Sequence, residues 1–423
     1  MNPRELLLGS FAAAVAAADP LQIVPPHLPS PPRGRTLVVG AGKAAGAMAL
    51  AVESHWPDEA PLEGIVITRY GHGLPTRRIE VVEAGHPVPD EHGQQAAAAI
   101  LERTQALGPD DLLLVLVSGG GSALLSLPVE GVDMADLKAV TRELLACGAP
   151  IQDMNTVRKH LSRIQGGRLA AATRARVLAL VISDVTGDDP THIASGPCAP
   201  DPSTFADAHG ILGHFGVRAP ASIAAHLEAG VAGRVAETPK AGDPAFARTE
   251  NRVIATAQAS LASAGAFLQG RGITPMVLGD SVTGESREVA KVFGAIARQL
   301  RQHHHPLAPP VAVISGGETT VTLKGRGRGG RCTEFLLSLA IDIAGLADTW
   351  ALAGDTDGID GSEDNAGALL APDSLARARS LGVDPRRMLA DNDGYGFFAA
   401  LGDLVTTGPT RTNVNDYRVI LVR

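Results

Sequence analysis

Cysteine is scarce in this 423-residue chain: Cys147, Cys198 and Cys332 are far apart and odd in number. Their spacing excludes a paired zinc motif, and a reducing, cytoplasmic setting is expected. Cationic excess is missing too, since 37 Lys+Arg stand against 45 Asp+Glu for a formal charge of -8. General nucleic-acid or membrane-surface binding is therefore not expected, and small molecules are the expected partners. No apolar run reaches the length of a membrane span. The N-terminal LLLGSFAAAVAAADP has the length of a signal-peptide core, but Glu5 cancels Arg4 before it. Leu7, Phe11 and Val15 recur at four-residue spacing, which predicts a packed amphipathic helix stopped at Asp19-Pro20. No short-period repeat is visible.

What is present is globular: 45% hydrophobic and 19% charged residues, in a chain long enough for two or three domains. Short apolar runs (RTLVVGAG, GIVITRY, RRIEVVEAG, DLLLVLVSGGG, RVLALVIS) alternate with helical stretches, the pattern of a mostly parallel sheet covered on both faces. The polar, proline-bearing stretch Glu237 to Glu250 reads as a linker. A second set begins at NRVIATA and includes TPMVLG, VAVISGG, TTVTLKG and TWALAGDTDG. The fold class expected is α/β, with two Rossmann-like domains over residues 1–240 and 250–423.

The most distinctive stretch is Gly325 to Glu334, GRGRGGRCTE. Its glycines, including Gly329 and Gly330, would let backbone N–H groups face an oxyanion, with Arg326, Arg328 and Arg331 as forked donors. The helix that follows would aim its positive end at the same spot. The run is not repetitive and has no interleaved aromatics, which separates it from nucleic-acid-binding RGG segments.

Other candidates sit where apolar strands end, the ligand-binding edge of open α/β sheets. GAGKAAG follows a strand and opens a helix, yet the next strand ends in Arg69 and Tyr70 instead of the acid that holds a dinucleotide ribose. It is not a P-loop either, because Ala44 follows Lys43. Ser118, Gly119, Gly120, Gly121 and Ser122 form an anion nest, while Leu116 excludes a nucleophile elbow. SGGET supplies Gly316, Gly317, Glu318 and Thr319. In DMNTVRKHLSRIQGG, Asp153 or Asn155 reads as a helix cap, and adjacency allows only one of Arg158 and Lys159 to face the same way as Asn155. Asp184, Asp188 and Asp189, and Asp355, Asp357 and Asp360, are two carboxylate loops suited to Mg2+, with Asp189 and Asp355 as candidate contacts. His303 to His305 read as solvated loop. The whole inventory suits phosphoryl transfer.

GAGKAA, VSGGGSALL, DMNTVRKHLSRIQGGRLA, SDVTGDDPTHIASGP, ISGGETTVTLKGRGRGGR, AGDTDGIDG and TGPTRTNVND occur in this order, and with them the chain resembles the glycerate 2-kinase family, named also for its C-terminal MOFRL domain. The resemblance implies an active-site cleft between two α/β domains, and transfer of phosphate from ATP, with Mg2+, to the 2-hydroxyl of D-glycerate. It implies catalytic roles for Lys43 and Arg331; Asp189 is a further candidate, substrate or phosphate contacts are expected at the loops above and at Glu334, and the sequence leaves a homodimer open. Cys332 and Thr333 depart from the family's usual Asn-Gln, which would matter if those positions touch ligand. Relatives labelled hydroxypyruvate reductase make an NAD(P)H-dependent reductase the alternative, and a non-enzymatic sugar-acid or nucleotide sensor a third.

Overall fold

A computed structural model describes residues 2–423. The chain divides into two compact units: Pro20–Ile254, and the N-terminal segment through Asp19 together with Ala255–Arg423.

The unit over Pro20–Ile254 is built on a six-stranded sheet. Its strands are β1 (Thr36–Ala41), β2 (Leu62–Arg69), β3 (Ile79–Ala84), β4 (Leu112–Val117), β5 (Arg176–Ile182) and β6 (Thr249–Ala255), in the order β3-β2-β1-β4-β5-β6. β1 to β5 pair in parallel. TLVVGA and LLLVLV are buried along their whole length, because helices cover both faces and no side of the strand meets water. The helix Glu91–Gln105 shows how the cover is made: Asp90 caps it by accepting from Gly93 N at 3.0 Å, and Ala96, Ala97, Ile100 and Leu101 form its buried stripe. The helices Met134–Ala146, Ile151–His160, Phe205–His214 and Ala221–Val231 surround a separate core that includes Val140, Val157, Phe205 and Leu227.

Two expectations fail at the end of this unit. NRVIATA is not the first strand of the second lobe, since it lies in β6 beside β5 and extends the first sheet. Glu237 to Glu250 is not a free linker either. Glu237 accepts from Phe205 N at 2.9 Å and lies 3.2 Å from His160 Nε2, and Asp243 caps a 3-10 turn over Pro244–Arg248. The polar, proline-rich composition came from capping and turn chemistry, which mimics a linker in sequence.

The other unit holds β7 (Thr274–Val277), the two-residue β8 (Gly284–Glu285), β9 (Val311–Ser315), the two-residue β10 (Thr319–Thr320), β11 (Thr349–Asp355), β12 (Gly367–Leu370), β13 (Leu404–Val405) and β14 (Asp416–Val422). β8 and β10 pair only with each other, and the rest run β13-β12-β11-β14-β9-β7. β7 and β9 are parallel, and the remaining pairs of that sheet are antiparallel. TTVTLKG contributes only Thr319 and Thr320 to a strand, because the next amides turn to side chains: Thr322 N to Glu285 and Lys324 N to Asn392 Oδ1.

The N-terminal helix Pro3–Ala16 belongs to this unit, correcting the expected 1–240 boundary. Leu6, Leu7, Phe11 and Ala14 join Leu261, Ala264, Leu268, Ile314 and Val419 in one core. A Cβ on Gly9 would collide with the Phe267 ring, so the glycine is what lets the helix approach Ala257–Gln269. Each large side chain buried this way contributes roughly 1.5–3 kcal/mol, which decides the partner. Among the described residues no single helix is long and apolar enough to cross a membrane.

Candidate active site

In the unit over Pro20–Ile254 the site begins where β1 and β4 end side by side. Gly40 (φ 156°) and Gly42 (φ 142°) take backbone conformations that favour glycine, and a Cβ on either would strike Leu116 or Ser118. The GAGK glycines are thus explained by strand packing. Lys43 N donates to Gly119 O at 2.9 Å and Ala44 N to Ser118 Oγ at 3.0 Å, which fastens the two loops together. Lys43 stands in the turn before the helix Ala45–His55. Among the described residues the amides of Gly119 and Gly120 meet no acceptor. Gly120 (φ 82°) lies against both Lys43 and a residue that sequence reasoning passed over, because a Cβ there would sit 2.9 Å from His86 Nε2 and 3.4 Å from Lys43 Cγ.

Positive charge collects here. His86 is held down to about 3, first by burial and then by the charges of Lys43, Arg69, His72 and Arg158, so its ring is neutral at working pH. Burial also lowers the pKa of Arg158, and among the described residues no carboxylate pairs with Arg158 or Arg69. A guanidinium withdrawn from water without a counter-ion is unfavourable on its own, which marks an anion-binding region.

Arg158 Nη1 donates to Asn155 Oδ1 at 3.3 Å. Lys159 turns away into a buried pair with Asp201 at 3.2 Å, so adjacency did select one cation. Neither Asp153 nor Asn155 caps this helix. It starts at Ile151 behind Pro150, whose fixed φ and missing N–H favour a helix start and move the boundary upstream. Asn155 Oδ1 also accepts from Ser195 Oγ at 3.2 Å, and Ser195 Oγ lies 2.9 Å from Ser122 Oγ. Ser195 lies at the end of SDVTGDDPTHIASGP, a stretch whose aspartates drew attention in sequence while this hydroxyl did not. Asp189 is exposed and its Oδ1 accepts from Thr191 N at 2.9 Å. Burial raises its pKa, but the Thr191 hydrogen bonds and the charges of His192 and Lys159 outweigh it and keep the carboxylate ionised.

The glycine-arginine run behaves otherwise. Five of its amides are spent inside the chain: Gly325 N on Asn392 Oδ1, Arg326 N on Asp391 Oδ1, Gly327 N on Asp391 O, Arg328 N on Asp393 Oδ1 and Gly330 N on Thr333 Oγ1. The N-terminus of the helix Arg331–Ile343 is filled by Asp360, which accepts from Cys332 N (2.9 Å), Thr333 N (2.9 Å) and Thr333 Oγ1 (2.8 Å). Complete burial raises the Asp360 pKa to about 6 against those donors. A Cβ on Gly330 would collide with Asp360, so this glycine serves the cap. The anion cradle expected here is already occupied by the chain's own carboxylate.

Arg331 is engaged three ways, by Asp416 Oδ1 on Nε (2.7 Å), Asp355 Oδ2 on Nη2 (2.8 Å) and Glu318 on Nη1. Burial would lower its pKa, but these carboxylates raise it well above the ordinary value. Thr319 is buried between Ser286 and Arg418, Gly316 O accepts from Arg418 Nη1, and a Cβ on Gly317 would strike Val282. Glu334 is buried on Arg287 and Asn392. These predicted residues are brought together, but as a self-satisfied ion network. Gly329 (φ 135°) closes the turn before it.

Comparison with known proteins fits this architecture. A family described as "Domain of unknown function (DUF4147)" matches residues 6–228, and the MOFRL family matches 311–416. A protein named "Glycerate 2-kinase" from Pyrococcus horikoshii is 37% identical, covering 100% of this chain and 98% of its own. The chain belongs to the glycerate 2-kinase family. A crystal structure of a glycerate kinase from Thermotoga maritima superposes with a TM-score of 0.87 at 36% identity, covering 99% of each chain. A protein from Agrobacterium vitis named "Putative hydroxypyruvate reductase" is 53% identical over 100% of this chain and 95% of its own. The departure from the family's Asn-Gln falls on packing: Cys332 is fully buried in a hydrophobic core and Thr333 serves the Asp360 cap.

The Mg2+ that the resemblance implies would need carboxylate oxygens not already committed to the chain. Asp355 has Oδ2 on Arg331 and Oδ1 on Asp357 N (3.0 Å), so it is committed and does not fit a metal contact. Asp189, ionised and exposed, fits one. Among the described residues no three His, Cys, Asp or Glu side chains converge on a metal position.

Proposed function

We propose that this enzyme transfers the γ-phosphoryl group of ATP to the 2-hydroxyl of D-glycerate, giving 2-phosphoglycerate. The observation that carries the reading is Arg158, half-buried with no carboxylate partner among the described residues, near a loop whose Gly119 and Gly120 amides meet no acceptor among them. Full-length likeness to a protein named "Glycerate 2-kinase" supports it.

Arg158 is the donor for the substrate carboxylate, a planar fork matched to two oxygens. Lys43 and the Gly119 and Gly120 amides serve the transferring phosphoryl group, whose charge spreads over its equatorial oxygens as it moves. His86, kept neutral, presses on Gly120 without adding charge. When bound with ATP, Mg2+ would neutralise phosphate charge, and Asp189 is the residue that would hold it, directly or through water. Arg331 is assigned to holding Asp355, Asp416 and Glu318 in place, in contrast to the transition-state role its motif suggests. The three cysteines are free thiols, which suits a cytoplasmic setting.

The reductase alternative is favoured by the name of the Agrobacterium vitis relative. Arg69 and Tyr70 in place of a ribose-binding acid, and GAGK glycines accounted for by packing, argue against it. The test is incubation with ATP, Mg2+ and D-glycerate followed by phosphorus NMR of the product. Formation of 3-phosphoglycerate, or NADH oxidation by hydroxypyruvate without any phosphorylated product, overturns the kinase reading.

A further inference from the structure

Ser195 sits in a backbone conformation that side chains other than glycine rarely adopt. Ala194 (φ 50°, ψ 29°), Ser195 (φ 58°) and Gly196 (φ 58°, ψ 58°) form a consecutive left-handed turn, two of them non-glycine. Such strain persists only where the surroundings fix it, and it is concentrated at functional sites. Here Gly166 N and Gly167 N donate to Ser195 O (2.9 Å) and Gly196 O (2.7 Å), and Ala194 packs on Gly121. The outcome is a fully buried hydroxyl held between Asn155 and Ser122.

The direction of every proton in that chain follows from its ends. Asn155 Nδ2 donates to His192 O at 3.3 Å, and Arg158, which has no lone pair to offer, donates to Oδ1. The amide therefore cannot be flipped. Because Oδ1 only accepts, Ser195 must donate to it. Ser195 has then spent its one proton, so in the 2.9 Å contact Ser122 must donate to Ser195. Ser122, which with Arg158 lines a recess of about 10 Å³, room for one hydroxyl-sized group, is left with lone pairs only.

We propose that Ser195 is a positioning residue that makes Ser122 an obligate acceptor, so that Ser122 reads the hydroxyl next to the carboxylate held by Arg158. This rests on the kinase reading for the role of the site, and the test is a binding measurement without nucleotide so that the two fail separately.

Calorimetry compares D-glycerate, D-lactate and 3-hydroxypropanoate, the last lacking the 2-hydroxyl, on wild type and Ser195→Gly. Glycine relieves the left-handed strain, so the variant should fold with an unchanged or higher melting temperature. Wild type should bind both 2-hydroxy acids about 3- to 10-fold more tightly than 3-hydroxypropanoate, the range of one neutral hydrogen bond. Ser122→Ala should erase that preference and Ser195→Gly should weaken it, both leaving 3-hydroxypropanoate unchanged. An undiminished preference in Ser195→Gly overturns the proposal, as does an equal loss for all three acids. A wild type that phosphorylates glycerate without showing the preference overturns it while leaving the kinase reading intact. A wild type that binds none of the three overturns both.

Discussion

Removing Arg331 should damage stability before it damages chemistry. Its guanidinium meets Asp416, Asp355 and Glu318, whose side chains are 0%, 6% and 54% exposed. Arg331→Ala leaves two buried carboxylates short of a cation, with Arg418 (2.5 Å from Asp416) the remaining positive partner. Removing one member of a buried ion pair costs about 3–5 kcal/mol. For a unit of this size each kcal/mol shifts Tm by roughly 2–4 °C, so a fall of about 6–20 °C is expected. Arg331→Lys should recover only part of it, since a point charge cannot engage three carboxylates in one plane. Glu318→Gln, at the exposed arm, should cost about 1 kcal/mol or less. Lys43→Ala gives the opposite signature, a Tm within a few degrees of wild type and kcat reduced roughly 10²- to 10³-fold. The assay is thermal unfolding by circular dichroism beside steady-state kinetics on the folded fraction at low temperature. Arg331→Ala with unchanged Tm and a hundredfold lower kcat would refute the assignment and return Arg331 to the reacting phosphoryl group.

Arg158→Ala should raise KM for D-glycerate about 10- to 100-fold, the range of a charged hydrogen bond to carboxylate, with a smaller change in KM for ATP. Asp189→Asn should raise the Mg2+ concentration needed for half-maximal rate, and excess EDTA should abolish turnover; activity indifferent to EDTA would eliminate the metal. Asp360, with a folded pKa of about 6 above its ordinary 3.8, binds its proton more tightly folded than unfolded. Its contribution therefore favours folding below about pH 4 and is lost as pH rises to about 6, by roughly 3 kcal/mol. Urea unfolding from pH 4 to 7 should show this slope in wild type and lack it in Asp360→Asn. Gly42→Ala should fold poorly, because its Cβ meets Ser118, and soluble expression with wild-type Tm would contradict that packing.

The sequence by itself determined the local features. Apolar runs such as LLLVLV read as strands covered on both faces, with Lys43 and the Ser118–Ser122 nest in the loops at strand ends, but only the pairing of β1 with β4 brought those two loops together. Adjacency of Arg158 and Lys159 already required one of them to turn away. Pairing between distant segments was decided by tertiary structure alone. Asp360 reaches the start of the helix Arg331–Ile343 only because the chain returns after β11, and that one carboxylate turns an apparent anion cradle into a satisfied cap. Residues 391–393 consume the amides of the glycine-arginine run in the same way. The N-terminal helix showed its apolar face in sequence but not its partner, since any core of suitable shape would bury Leu6, Leu7 and Phe11 equally well. Glycine, arginine and aspartate supply donors and acceptors whatever they meet, and only the fold decides whether the partner is a ligand or the chain itself.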